Sequence, residues 1–365
     1  MGVYEDLGLK RVINCSGKMT ALGASTLHPE IVAAMSEASQ QFVFLRDLHR
    51  KAGEIIAGYT GAEAACVTAG AAAGMVMGTA ACMTGTDLSK IVQLPDTTGM
   101  RNEVILQKCH VLHFPVMVRY SGAKLVEIGT VSGVRLPLLE GAISEKTVEV
   151  LYVVSHRSIP AALPLEEVVE TAHRNGVPVL LDAAAEEDLR KYIEMGVDLV
   201  TYSGGKAFEG PSASGFICGR KDLIEACHLH RNFMGRPMKV GKEEIMGLLK
   251  ALELYINKDV AAEKRAELRR LSHIEDALQD VPHVTTRYRR DEAGRDITRL
   301  QVVLDESAVG KNAFEVEEAM MADSPAVVFR HYYERQGILY IDPRNMQDGE
   351  EVIVAEKLRK VLGAT

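Results

Sequence analysis

The strongest chemical signal in the sequence comes from two residues on neighbouring apolar runs. Val179-Leu-Leu-Asp182 ends in an acid, and some way downstream Leu199-Val-Thr-Tyr-Ser203-Gly-Gly-Lys206 ends in a lysine. Both runs read as strands buried on both faces of a mainly parallel sheet. In such sheets the ligand crevice lies outside the carboxyl ends of the strands, so both side chains are expected to face it. A lysine on a Gly-Gly turn among apolar neighbours is partly dehydrated, which suits an amine that forms a Schiff base with a carbonyl. The acid can pair with a cationic ring nitrogen on the same ligand. Pyridoxal phosphate needs these two protein groups, a lysine for its aldehyde and a carboxylate for its pyridinium. Alone, Asp182 reads as a helix cap and Lys206 as a solvated turn residue. Their succession on consecutive strand ends selects the cofactor.

A phosphate cradle lies upstream. Val67-Thr-Ala-Gly70-Ala-Ala-Ala-Gly74 links a strand to a helix through small residues. Free N–H groups around Gly70, Ala71 and Ala72, with the positive end of the helix dipole, can hold a phosphate there. The same small residues also suit tight helix–sheet packing. The segment matches neither the dinucleotide fingerprint nor the nucleoside-triphosphate loop.

The elements that must position these groups form an α/β pattern. Strand-like runs at Ala64–Thr68, Lys90–Leu94, Val104–Leu106, Leu125–Ile128, Val148–Val154, Val177–Leu181, Leu199–Tyr202 and Gly215–Cys218 alternate with helical stretches. Ala71–Thr84, closed by Gly85, is one helix. Another begins at Pro164 and stops at Asn175-Gly176, a proline start with a glycine stop. This pattern predicts a large domain with a mainly parallel sheet, residues 1–245 including the N-terminal segment. Lys242–Leu278 is one long or broken helical stretch. Beyond it, strand and helix signals up to Glu350–Leu362 suit a smaller α+β domain, residues 246–365.

Composition narrows the function. Of 365 residues, 47% are hydrophobic and 25% charged, near the globular average, so long disorder is not expected. The net charge of −8 disfavours a broad nucleic-acid surface. The start lacks the apolar core of a secretory leader, and no apolar run is long enough to span a membrane. The six cysteines contain no Cys-x-x-Cys pair. Reduced buried thiols in the cytoplasm, with no metal and no membrane partner, are therefore expected. The charged stretch Ala261–Arg270 reads as a solvated helix face.

In its order of small-residue turn, strand-end Asp and Ser-Gly-x-Lys, the chain resembles the fold type I, aminotransferase-like pyridoxal-phosphate enzymes. Local motifs narrow this to the selenocysteine synthase (seryl-tRNA selenium transferase)-like family. Arg11-Val-Ile-Asn14-Cys-Ser-Gly17, Lys124-Leu-Val-Glu-Ile-Gly129, Ser203-Gly-Gly-Lys206-Ala-Phe-Glu-Gly-Pro211 and Ile341-Asp-Pro-Arg344 carry the resemblance, from about residue 10 onward. The tRNA-handling members have an extra N-terminal domain, whereas here the catalytic domain begins almost at Met1. The chain is thus more similar to the small-molecule members, above all the D-glucosaminate-6-phosphate ammonia-lyases.

That resemblance implies roles for particular residues. Lys206 would hold the cofactor and take a proton from substrate Cα, with Asp182 keeping the ring nitrogen protonated. Gly70, Ala71 and Ala72 would receive the phosphate, and the Ser203 hydroxyl could reach it. His110, preferred over His113, would stack on the ring, and His156 would lie near the ring oxygen. Each histidine could equally be an ordinary loop residue. Arg344 first, or Arg330, would bind the substrate carboxylate bidentately, unless it is simply a surface cation. Lys18, Arg46 and Arg236 are unranked candidates for a distal substrate phosphate. The implied reaction eliminates water and then ammonia from an amino sugar acid. Racemisation, another β-elimination or a tRNA-dependent selenium transfer stay open as alternatives. At least a homodimer is implied, because relatives build their active sites at a dimer interface.

Overall fold

The computed structural model describes residues 2–111, 114–155, 160–292 and 294–363. Strand β1 (Val12–Cys15) lies in the N-terminal segment. Next in the chain come β2 (Ala64–Thr68), β3 (Glu103–Gln107), β4 (Lys124–Ile128), β5 (Thr147–Val153), β6 (Val179–Asp182), β7 (Leu199–Ser203) and β8 (Gly215–Gly219). These seven form one sheet in the order β2-β8-β7-β6-β5-β3-β4. Strand β8 runs antiparallel to both of its neighbours, and the remaining pairs are parallel. The carboxyl ends of β2, β7, β6, β5 and β3 therefore share one edge.

The apolar runs are buried as their composition predicts, with all seven residues of β5 buried. Val150, Val179, Leu181 and Val200 pack on one face of the sheet, and Leu106, Leu151, Leu180 and Leu199 on the other. The helix Ala71–Thr84 lies close against the second face because two of its residues lack side chains. A Cβ at Gly78 would stand 2.7 Å from Leu180 Cδ1, and one at Gly74 2.9 Å from Thr201 Cγ2. The small residues upstream of Gly85 thus serve packing, while the start of the same helix meets the carboxyl edge.

Lys90–Leu94 is not a strand. It lies in the helix Leu88–Gln93, where the Asp87 side chain accepts hydrogen bonds from the Ser89 and Lys90 N–H groups. That cap satisfies donors a strand would present to a partner, and Ile91 alone is buried in the helix.

The chain divides into two compact units, Leu27–Ile256 and a second that combines Met1–Thr26 with Asn257–Thr365. This partition moves the N-terminal segment away from the domain expected to contain it. The reason is strand pairing: β1 runs parallel to β11 (Ala326–Phe329), with Val12 opposite Ala326 and Cys15 opposite Phe329. The helix Lys242–Asn257 stays with the first unit, since Ile245, Leu248 and Leu252 fill its core. The long helical stretch breaks where Asp259 caps the helix Val260–Leu278 by accepting from the Ala262 N–H.

In the second unit β9 (Val284–Arg290), β10 (Thr298–Leu304) and β12 (Ile338–Ile341) form an antiparallel sheet in the order β12-β10-β9. Ile13, Ile274, Val302, Phe329 and Leu358 share its core with the helices Ala313–Ala322 and Glu350–Val361.

Candidate active site

Asp182 is the last residue of β6 and is 6% exposed, set opposite Val153 of β5 and Thr201 of β7. Its Oδ1 accepts a hydrogen bond from the Ala184 N–H at 3.0 Å. Burial pushes its carboxyl pKa up, while the Lys206 charge and the Ala184 N–H pull it back. The two residues singled out from sequence thus interact electrostatically across adjacent strand ends.

Lys206 is half-buried on a turn that leaves β7 after the half-buried Ser203. The turn is closed by its own backbone: Gly204 N–H donates to Ser214 O at 2.8 Å, and Gly210 N–H to Gly204 O at 2.8 Å. No side chain fits at Gly204, where a Cβ would stand 2.2 Å from Ser214 Oγ.

The small-residue turn meets this loop through β8. A Cβ at Gly215 would lie 2.5 Å from Tyr202 O and 2.7 Å from Gly70 Cα. Gly215 is therefore a positioning residue that sequence reading missed; it reads there as an ordinary strand glycine. Gly70 has φ +130°, a conformation favouring glycine, and its carbonyl accepts from Thr68 Oγ1 at 2.9 Å. Ala71 is buried and Ala72 half-buried at the helix start, where the first N–H groups have no intrahelical acceptor.

Strand β3 brings a further polar group to the same edge. Gln107 is buried, and its Oε1 accepts from the Leu163 N–H at 2.8 Å. His110 is wholly buried and meets Tyr152 edge-on, ring centroids 4.5 Å apart. Burial lowers its pKa to about 4, so the ring is neutral. Gln107 Nε2 and both His110 ring nitrogens have no hydrogen-bond partner among the described residues. His110, the ring-stacking candidate from sequence, is thus enclosed by its own unit. His113 and His156 lie outside the described residues.

The second unit joins two of the sequence motifs. Asn14 Nδ2 donates to Gly17 O, and Asn345 Nδ2 donates to both Gly17 O and Ala24 O. Asp342 N–H donates to Cys15 O at 2.8 Å. Arg344 grips Asp342 bidentately, Nε to Oδ1 at 2.9 Å and Nη2 to Oδ2 at 2.8 Å. The buried Arg299 donates to Asp342 from Nε and to Asp291 from Nη1, both at 2.8 Å. Burial alone would raise the Asp342 carboxyl, but Arg344 and Arg299 hold it well below the usual carboxylate range. Arg344, the first choice for a substrate carboxylate, thus already holds one. Arg330, just past β11, is 10% exposed and lies over the Tyr332 ring; its Nη2 stands 3.6 Å from Glu292 Oε2, and its Nε has no partner among the described residues.

The first unit brings together groups suited to pyridoxal phosphate: a buried carboxylate that feels the charge of a lysine, and a glycine–alanine turn packed against the lysine loop through Gly215. The fold is that of the fold type I enzymes. A structure of serine palmitoyltransferase from Sphingomonas wittichii shares it with a TM-score of 0.59 at 14% identity, covering 96% of this chain and 87% of that one.

The chain belongs to the L-seryl-tRNA selenium transferase family, whose model matches residues 12–337. It is 38% identical to the D-glucosaminate-6-phosphate ammonia lyase of Salmonella typhimurium, over 98% of this chain and 97% of that protein. A solved structure of a D-glucosaminate-6-phosphate ammonia-lyase matches with a TM-score of 0.92 at 37% identity, covering 100% of this chain and 98% of the other. The 5'-C-glycyluridine monooxygenase-decarboxylase of a Streptomyces species is also 38% identical, over 96% of this chain and 90% of that protein.

Proposed function

We propose that this chain is a pyridoxal-phosphate-dependent ammonia-lyase that converts D-glucosaminate 6-phosphate to 2-keto-3-deoxygluconate 6-phosphate and ammonia. The observation that carries this reading is near-complete similarity to the lyase in sequence and fold, with the Asp182–Lys206 pair intact. When bound, the cofactor supplies a sink for the electrons left at Cα when its proton is removed.

The chain's own residues do the rest. Lys206 anchors the cofactor, and its amine, once released by the amino substrate, takes the Cα proton. Asp182 would accept the ring N–H and so hold that proton in place. Gly70, Ala71, Ala72 and Ser203 receive the phosphate, the backbone groups at close range because Gly70 has no side chain and the alanines only methyl groups. Water leaves from Cβ and is regained as ammonia departs, so the net loss is ammonia alone. Arg344 or Arg330 binds the substrate carboxylate; each already lies beside a protein carboxylate, Asp342 at 2.8 Å and Glu292 at 3.6 Å, which it would share with the substrate.

The reading includes a homo-oligomer. The exposed Phe42, Val43, Phe44 and Leu45 form an apolar run that suits a contact between copies. It also includes a cytoplasmic enzyme without nucleic-acid or membrane partners. Six cysteines free of disulfides and the negative net charge support this, and no helix among the described residues is long and apolar enough to cross a membrane.

A second reading, oxidative decarboxylation of a glycyl-nucleoside, rests on the equal identity to the Streptomyces enzyme. Incubation with each substrate class separates the two: ammonia and a keto acid without oxygen uptake support the lyase, and oxygen uptake with carbon dioxide release overturns it. Lys206→Ala should reduce turnover at least about 100-fold and abolish the visible imine absorbance that borohydride removes from wild type. Normal turnover in this variant would refute the assignment.

A further inference from the structure

Far along the chain from the Asp182–Lys206 pair, the second unit holds a cluster of a different kind. The helix Ala313–Ala322 buries Val316 and Met320 in the core and, between them, Glu317. Glu334 opens the short turn Glu334–Gln336, three residues after His331. The two carboxylate side chains are 6% and 9% exposed, and the imidazole 55%. His331 Nδ1 stands 3.1 Å from Glu317 Oε1 and 3.5 Å from Glu334 Oε1, and one ligand atom from each residue lies within 4.8 Å of the others.

Hydrogen bonding leaves this cluster incomplete. The Tyr332 N–H donates to both Glu334 oxygens, at 3.0 and 3.1 Å, which fixes that carboxylate. Glu317 Oε1 has no hydrogen-bond partner among the described residues, although the imidazole nitrogen is near. The ring nitrogen and that oxygen are neighbours without donor–acceptor alignment, as two ligands of one centre would be. A buried carboxylate oxygen left without an aligned donor, beside an imidazole nitrogen and a second buried carboxylate, is a position that a cation can fill.

We propose that Glu317, His331 and Glu334 form a binding site for one divalent transition-metal ion of the zinc class. Tetrahedral ligands on bonds of about 2.1 Å stand about 3.4 Å apart, close to the spacings seen. An imidazole with two carboxylates suits zinc better than magnesium or calcium, which prefer all-oxygen shells. The exposed face of His331 gives the ion its entry path and leaves a position for water. Bound there, the ion ties the segment that follows Arg330 to the helix Ala313–Ala322.

The test uses cofactor-loaded protein freed of metal by chelator and dialysis, titrated with zinc chloride by calorimetry and checked by metal analysis. One equivalent of zinc per chain is expected, with a raised Tm and no competition from excess magnesium or calcium. His331→Ala, on an exposed side chain, and Glu317→Gln, close in shape, should each weaken zinc binding at least about tenfold while preserving the circular dichroism of wild type. Cobalt chloride supplies a second readout: visible ligand-field bands in wild type that are lost in His331→Ala. Absence of stoichiometric zinc binding by wild type overturns the site. Binding unchanged in His331→Ala also overturns it, by placing the ion elsewhere, the cofactor included. In either case the cluster is a contact of His331 with two carboxylates and holds no metal.

Discussion

Glu149 offers a quantitative test of the packing beneath the proposed active site. It lies on β5, fully buried, where Thr79 Oγ1 donates to its Oε1 at 2.6 Å and Oε2 has no partner among the described residues. Burial pushes its pKa from 4.5 up to about 7, against the partial relief of hydrogen bonds from Thr79 and Cys82. At about 1.4 kcal/mol per pH unit, that displacement corresponds to about 3 kcal/mol.

The sign follows from proton counting. Between pH 4.5 and about 7 the unfolded carboxyl has ionised while the folded one keeps its proton, so stability from this residue falls as pH rises. The loss is complete once the folded carboxyl has also ionised. Glu149→Gln keeps an acceptor for Thr79 and cannot ionise. Its Tm relative to wild type should therefore rise by about 6–12 °C on moving from pH 5 to pH 8, at about 2–4 °C per kcal/mol for a unit of this size. Thermal unfolding of both proteins, saturated with cofactor at constant ionic strength, measures this directly. An equal gap at the two pH values would refute the buried-carboxyl account.

Two further substitutions test the site itself. Gly215→Ala places a methyl 2.5 Å from Tyr202 O and 2.7 Å from Gly70 Cα, so the cradle must shift; pyridoxal-phosphate affinity should fall at least about tenfold, and wild-type affinity by fluorescence titration would contradict the proposed cradle. Arg344→Met removes a bidentate partner from buried Asp342 and should destabilise by about 1–3 kcal/mol; whichever of Arg344→Met and Arg330→Met raises KM at least about tenfold is the carboxylate ligand, and an unchanged KM in both would refute this role for the pair.

Much of the site was legible because its signals are local. The helix Ala71–Thr84 matches the sequence reading end for end, since small residues bounded by Gly70 and Gly85 leave little choice of limits. Asp182 and Lys206 were legible because an apolar run that ends in a polar residue marks a strand's carboxyl end, whatever the strand pairs with. The Leu88–Gln93 helix was misread because Ile91 and Val92 resemble a strand core, while the cap at Asp87 decides the backbone. No local signal distinguishes the buried His110 from an open one, or Gly215 from any other strand glycine.

What the sequence by itself determined is the alternation of strands and helices, the lysine–acid pair and the small-residue turn, because strand burial and helix limits depend on near neighbours. Tertiary structure alone decided that Val12 pairs with Ala326, so that the N-terminal segment joins the C-terminal unit. It alone decided that Arg344 meets Asp342 and that Arg330 meets Glu292. The physical reason is the same in both cases. Partners far apart in the chain, and the charge balance of a buried group, depend on which surfaces the finished core brings together, and no window of adjacent residues carries that information.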